Sequence, residues 1–352
     1  HFRTHPSEDL AAKTVSLMPE GLDRVFFVSG GSEAVESAVK LARQYALTQG
    51  EAGRYKVISR FPSYHGCTFG ALELTGYDPL SKPFAPMMQE MPRIAAPATY
   101  LDRDNLTEEQ RGLKYAEYLR DKIIEEGPDT VLAFIMEPVG GASTGALVAP
   151  DSYYGRIREI CDEFGVLLIY DEVMTGAGRT GKFLAAEHWG ITPDIVAMSK
   201  GFGAGYAPLG AIVAGAWMVD PVLDTGGFLH GFTYAGNPLA CAAGLAVLEE
   251  MEEQNLIENA ARMGEVLMAE LHSLMDRYPF IGDVRGKGLL TAFEFVADRE
   301  TMAPLPPAMN AYDKLVELAY ARGLIIYSRR TRGGTAGDHF LLAPPLIITE
   351  AQ

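Results

Sequence analysis

A chain of 352 residues, 48% hydrophobic and 22% charged, is long enough for one large domain and a second, smaller one, with ample apolar surface for both cores. Its net charge of −16, without a Lys/Arg cluster, weighs against nucleic acid and against an anionic membrane surface. Three widely spaced cysteines, Cys67, Cys161 and Cys241, weigh against a disulfide framework or a zinc site and favour a reducing, cytoplasmic setting with no metal.

No apolar run reaches the roughly 18 residues of a membrane span, and no signal-like segment opens the chain. Residues 7–20 read as a short helix ending at Met18-Pro19. The apolar run Val25 to Val28 reads as a buried strand, followed by a turn at Ser29-Gly30-Gly31. Val35, Ala38, Val39, Ala42 and Ala46 then keep helical spacing from Ser32 to about Leu47, with Ser32 as a possible cap. Lys56 to Ser59 is a strand stopped near Pro62, and residues 74–97, rich in Pro and Met, look irregular.

A helix is expected over 107–126, and strands and helices then alternate: 131–136, helix 151–164, 166–170, 195–198 and 209–213. Short apolar strands between helices predict an α/β fold with a mostly parallel central sheet and helices on both faces. After Asn237-Pro238 a long helical stretch runs to about Arg277, broken near Asn255. Strand-like residues 284–295, a helix over 308–321, and strands at 324–327 and 340–342 make the tail α+β. The division expected is 1–245 for the large domain and 246–352 for the small one.

Polar residues gather where four strands end: Ser29 to Ser32, Glu137, Asp171-Glu172 and Ser199-Lys200. Ligands of open parallel sheets bind at these carboxyl ends, so one site could collect all four. Gly30-Gly31-Ser32 opens a helix, where free N–H groups and the helix dipole suit a phosphate, although a plain tight turn has the same composition. Asp171 ends an apolar strand and needs a partner there, be it a pyridinium nitrogen, a metal or a structural hydrogen bond. Lys200, between an apolar strand and a Gly-rich loop, is either a desolvated nucleophilic amine or a solvated loop lysine.

Taken together, a phosphate cradle, an acid and an amine are the parts that pyridoxal 5′-phosphate (PLP) requires. The runs 27–34 (Phe-Val-Ser-Gly-Gly-Ser-Glu-Ala), Ser63-Tyr64-His65-Gly66, Glu137-Pro138-Val139, Asp171 to Gly181, Ser199-Lys200-Gly201 and Thr233 to Pro238 resemble class III (ω-) aminotransferases, in the family's order and along nearly the whole chain. The DEVxTGxGRTG stretch, with a lysine 29 residues after its Asp, is the most specific part.

The resemblance implies PLP fold type I and a homodimer. It implies a Schiff base between PLP and Lys200, with Asp171 on the ring nitrogen, Val173 and Tyr64 on the two ring faces and His65 nearby. It further implies that Gly31 and Ser32 hold the phosphate, that Thr233 reaches the phosphate of the neighbouring subunit, and that Glu137 lies near cofactor and substrate.

Many relatives carry an arginine three residues before the Pro-Pro of the last strand motif; here Leu341 stands in that place. Amine and ω-amino-acid:pyruvate transaminases are similar in lacking it and use a loop arginine. Arg332 is the candidate, with Arg329 and Arg330 close behind. The expected reaction is ping-pong transfer from an amine or ω-amino acid to a keto acid, with pyruvate preferred. Aminomutases and decarboxylases on this scaffold, or a non-catalytic protein that kept the fold, would share the cofactor motifs. Family members also carry a further N-terminal segment and a short C-terminal helix that this sequence is expected to lack.

Overall fold

A computed structural model describes residues 3–352. Seven strands form the central sheet: β1 (Arg24–Val28), β2 (Lys56–Phe61), β3 (Arg93–Ala95), β4 (Val131–Met136), β5 (Leu167–Asp171), β6 (Ile195–Met198) and β7 (Gly210–Ala214). Their order is β1-β7-β6-β5-β4-β2-β3. The five strands from β3 to β6 are parallel, as the alternation of strands and helices predicts. β7 is the exception, antiparallel to both β6 and β1. Two reversals restore direction, so β1 ends on the same edge of the sheet as β4, β5 and β6.

The helices are α1 (His5–Ser16), α2 (Gly31–Thr48), α3 (Phe69–Leu74), α4 (Asp78–Ser81), α5 (Glu108–Glu126), α6 (Asp151–Phe164), α7 (Ala216–Asp224), α8 (Pro238–Glu253), α9 (Leu256–Arg277) and α10 (Ala311–Tyr320). Side chains alternate across the sheet with the two-residue period of a strand. Ile169, Ile195 and Ala197 meet the apolar faces of α2, α3 and α7. Leu168, Tyr170, Val196 and Met198 meet α1, α5, α6 and α8. Both faces are thereby dry, which is why these strands read as continuous apolar runs.

A second, antiparallel sheet follows, from β8 (Ile281–Lys287), β9 (Leu290–Asp298), β10 (Ala303–Pro304), β11 (Tyr327–Arg330) and β12 (Asp338–Leu342). β9 is flanked by β8 and β12, and β11 pairs with β12. The stretch expected as one strand over 284–295 is therefore a hairpin, reversed at Gly288, whose φ of +54° suits glycine. The strand expected at 324–327 begins only at Tyr327. The N–H of Leu324 closes α10 on the carbonyl of Ala319, and Ile326 packs beside Phe340, so those residues serve the helix exit. α7 was not foreseen because Pro221 lies inside it. The break at Asn255 is present, at a φ of +51°. The expected division after residue 245 falls within α8.

His339 of β12 is fully buried beside Arg285, and neither ring nitrogen has a partner. Burial, aided by the Arg285 charge, pulls its pKa from 6.5 down to about 3. The folded chain thus accepts only neutral His339, whereas the unfolded chain protonates it near 6.5. Its contribution to stability is complete above 6.5 and is lost as pH falls towards 3. Thermal melts at pH 7.5 and pH 5 should show a lower Tm in acid, and His339→Gln should narrow that gap.

Candidate active site

Strand ends on one edge of the central sheet open into a cavity of about 630 Å³. Its walls include Gly31 and Ser32 after β1, Glu137 after β4, Asp171 at the end of β5, and Ser199 and Lys200 after β6. Tyr64, His65 and Val173 complete it. All four polar clusters expected from the sequence therefore meet in one place.

Asp171 is 5% exposed and fully engaged on one side. His65 Nδ1 lies 2.9 Å from Asp171 Oδ2, and the Val173 N–H donates to Oδ1 at 3.1 Å. With Asp171 Oδ2 accepting from His65 Nδ1–H, the ring's orientation is fixed and Nε2 is left buried without a partner. The neighbouring Glu172 points away from the cavity lining: it accepts from Thr175 Oγ1 and from the N–H groups of Ala185 and Ala186. One carboxylate of the pair serves the site and the other secures the loop that follows.

Lys200 follows two turns of constraint. Ser199 Oγ donates to the Leu209 carbonyl at 2.8 Å, and Lys200 itself has a φ of +44°, a left-handed conformation that costs a non-glycine residue energy. Lys200 as a residue stays exposed, and its side chain lines the cavity. Desolvation pulls its pKa below the ordinary lysine value, while the Asp171 and Glu137 charges pull the other way. Glu137 is fully enclosed: burial lifts its carboxyl above the usual range, with Asp171 adding to that lift and His65 and Arg60 opposing it. Its Oε1 accepts from the Gly141 N–H at 3.2 Å and its Oε2 has no partner.

The N-terminus of α2 supplies the cradle. Its cap is Gly30, not Ser32, and the Glu33 carboxylate reaches back to the Ser29 N–H at 2.8 Å. Ser32 Oγ instead accepts from the Cys67 N–H at 3.1 Å. A Cβ on Gly31 would stand 2.8 Å from Val173 Cγ1, so only glycine lets these segments approach. Tyr64 is half-buried, its hydroxyl pKa raised by burial first and by Cys67 next.

Two expected residues lie elsewhere. Thr233 is exposed, outside this cavity. Arg332 lines a neighbouring cavity of about 360 Å³ with Tyr100, Thr144 and Thr331, and it donates through Nη2 to the Met302 carbonyl. The hairpin register explains this. Tyr327 and Arg329 share one face of β11, and Leu341 pairs with Tyr327 across the strands; all three line the Lys200 cavity. Arg330 points to the other face and pairs with Asp338 at 3.1 Å. Arg332 sits in the turn beyond, its N–H bound to the Ala336 carbonyl. The arginine facing Lys200 is Arg329, its guanidinium over the Tyr327 ring at 4.5 Å. Tyr77, Ala142 and Ser143, neutral residues outside the motifs, also line the cavity and were missed, as was Met174, the variable position inside the Asp171 to Gly181 motif.

The donor set suits PLP. It combines a desolvated amine, a buried carboxylate for a ring nitrogen, and a helix N-terminus open to phosphate. His65 and Glu137 line the same cavity, and His65 Nε2 and Glu137 Oε2 are buried polar atoms without a partner.

The family Aminotransferase class-III matches residues 1–352. Uncharacterized aminotransferase YodT of Bacillus subtilis (strain 168) is 38% identical, over 100% of this chain and 79% of its own length. The putrescine–pyruvate aminotransferase of Pseudomonas aeruginosa is 34% identical, over 99% of this chain and 74% of its own. The structure of an (S)-enantioselective ω-transaminase from Thermomicrobium roseum superposes with a TM-score of 0.92 at 38% identity, covering 99% of this chain and 76% of that one.

Gly66 tests the cradle. Its φ is +139°, and a Cβ would lie 2.7 Å from both Ser32 Oγ and the Ala71 Cβ. Gly66→Ala is expected to destabilise the protein by about 1–3 kcal/mol, read from urea unfolding midpoints at constant m.

Proposed function

The chain belongs to the class-III aminotransferases, and we propose that Lys200 is the amine through which it holds PLP, with an amine or ω-amino acid as donor and pyruvate as acceptor. What carries this reading is one observation: the Lys200 amine, the Asp171 carboxylate and the N-terminus of α2 open into the same cavity.

When bound, the cofactor supplies an electron sink for the substrate carbon that gives up its proton. In this reading Asp171 holds the ring nitrogen, and its charge is kept in place by His65 and Val173. Gly31 and Ser32 hold the phosphate, and Tyr64 and Val173 cover the ring faces. Lys200 Nζ moves the substrate proton, and its lowered pKa leaves more of it neutral for that work. Glu137, its carboxyl lifted above the usual range by burial, lines the same cavity and lies near cofactor and substrate in this reading.

Substrate choice rests on the opposite wall. Arg329 replaces Arg332 as the arginine for the acceptor carboxylate, because only Arg329 faces Lys200. Pyruvate agrees with the activity that the putrescine–pyruvate relative's name states. Leu341 and Tyr327 beside Arg329 add apolar surface to that wall, which suits a neutral amine end.

A homodimer fits the surface around Thr233. Leu229, Tyr234 and Leu239, on either side of Thr233 in the chain, are 83%, 70% and 78% exposed, apolar side chains that a second copy would cover while bringing Thr233 to the neighbouring phosphate site. The cofactor-binding domain expected over 1–245 then extends to the end of α8, whose Leu248 and Met251 pack in the core of the central sheet, and the smaller domain follows it. No helix among the described residues is long and apolar enough to cross a membrane, and a cytoplasmic setting is part of this reading.

Lys200→Ala should lower turnover by at least about 10³-fold and abolish the borohydride-reducible chromophore; near-normal turnover would reject the assignment. Arg329→Ala should raise KM for pyruvate by about 10–100-fold, the worth of a charge-assisted hydrogen bond, with the KM of an uncharged-tail amine little changed. If Arg332→Ala shows that pattern instead, the acceptor site lies with Arg332. Consumption of one keto acid per amine, followed by a coupled assay, separates transamination from a single-substrate reaction.

A further inference from the structure

Beside the cavity lies a buried charge cluster that the reaction as described does not use. Arg285 of β8 is 8% exposed and Glu294 of β9 is fully buried. Arg285 Nη2 donates to Glu294 Oε2 at 3.0 Å, and Nη1 donates to Asp283 Oδ2 at 2.6 Å. The same guanidinium donates through Nε to the Gly145 carbonyl at 2.6 Å and through Nη2 to the Thr144 carbonyl at 3.0 Å. It stacks over the Tyr100 ring at 4.3 Å, and the Tyr100 hydroxyl donates to Glu294 Oε2 at 2.8 Å.

These bonds end on two loops that adjoin the Lys200 cavity, while Thr144 and Thr331 themselves line the neighbouring Arg332 cavity. Thr144 and Gly145 close the loop whose Ala142 and Ser143 line the Lys200 cavity. Gly145, at a φ of +63°, is pressed so closely that a Cβ would lie 2.8 Å from Arg285 Nη2. On the other side, Glu294 Oε1 accepts from Thr331 Oγ1 at 3.4 Å, and a Cβ on Gly337 would lie 2.9 Å from Oε1. Thr331 and Gly337 are the neck of the hairpin turn, joined by a backbone hydrogen bond of 2.9 Å. That neck directly follows Arg330, so it also sets where Arg329 and Tyr327 stand.

A buried ion pair is a poor means of adding stability, because the desolvation of both charges offsets their attraction. A guanidinium that spends its fixed fork of donors on two carbonyls and two carboxylates does specify geometry. We propose that Arg285 is a positioning residue that ties the 141–145 loop to the 331–337 turn through Glu294. It thereby sets the width of the substrate cavity and the preference for a short 2-oxo acid, without touching substrate. The selectivity part rests on the transaminase reading above; the tie itself does not.

Arg285→Lys keeps the charge and removes the fork, and it is tested as the PLP-loaded enzyme beside wild type. Amide hydrogen exchange should rise in 141–145 and 331–337 together. KM for pyruvate should rise about tenfold while kcat stays within about threefold, as expected for misplaced walls around intact chemistry. The preference for pyruvate over 2-oxohexanoate should narrow by about fivefold, and the visible absorption of the bound cofactor should not change. Unchanged KM and selectivity, exchange rising in one segment alone, or kcat falling in step with Tm would each overturn the proposal. Should Arg285→Lys fail to fold, Tyr100→Phe removes one donor from Glu294 and is expected to shift KM and exchange the same way, by about threefold; no shift there also overturns it. A wild-type enzyme that transaminates neither acid refutes the functional reading, whereas the exchange data decide the tie by themselves.

Discussion

A carboxylate at the inner end of a buried strand is the constraint on which the site depends. Asp171 sits where β5 leaves the dry sheet, and an ion there is costly unless it is compensated. His65 and the Val173 N–H supply part of that compensation, and a cationic ring nitrogen would supply the rest. Lys200 stays exposed at the cavity, yet its ammonium is weakened by lost hydration more than it is held by Asp171 and Glu137. Desolvation thus does two things at once: it demands a cation at one end of the cavity and readies an amine at the other.

The sheet edge makes this economical in space. Strands that run the same way deliver their polar ends to one side, and β1 joins them through the antiparallel β7. The helix that follows β1 then points its free N–H groups into the cavity, with glycine at position 31 because Val173 leaves no room for more. The wall across from Lys200 comes from the second sheet. There the arrangement rests on one buried guanidinium and its acceptors, a geometry that long side chains can hold although it adds little net stability.

Much of the central sheet was legible because each strand is covered on both faces and so reads as a short apolar run. The ends of β4 and β6 and the whole of α6 stand where the residues predict. The meeting of Gly31, Ser32, Glu137, Asp171 and Lys200 in one cavity was legible too, since each sits at a strand end, and strand ends converge by topology. The small sheet was less so. Gly288 reverses the chain within what reads as one strand, and the exit of α10 absorbs Leu324 to Ile326.

Arg329 and Arg332 mark the boundary between the two kinds of knowledge. The sequence by itself determined that Arg329, Arg330 and Arg332 follow a helix, that Leu341 stands where relatives carry an arginine, and that a lysine and an aspartate flank a Gly-rich segment. Local periodicity and composition suffice for that, because they act over a few residues. Which arginine faces Lys200 depends on the pleat of β11 and its register with β12, since a shift of one residue turns a side chain to the opposite face. Only the folded chain settles that parity, and only it brings Arg285, Glu294 and Tyr100, nearly two hundred residues apart at the extreme, onto the same pair of loops.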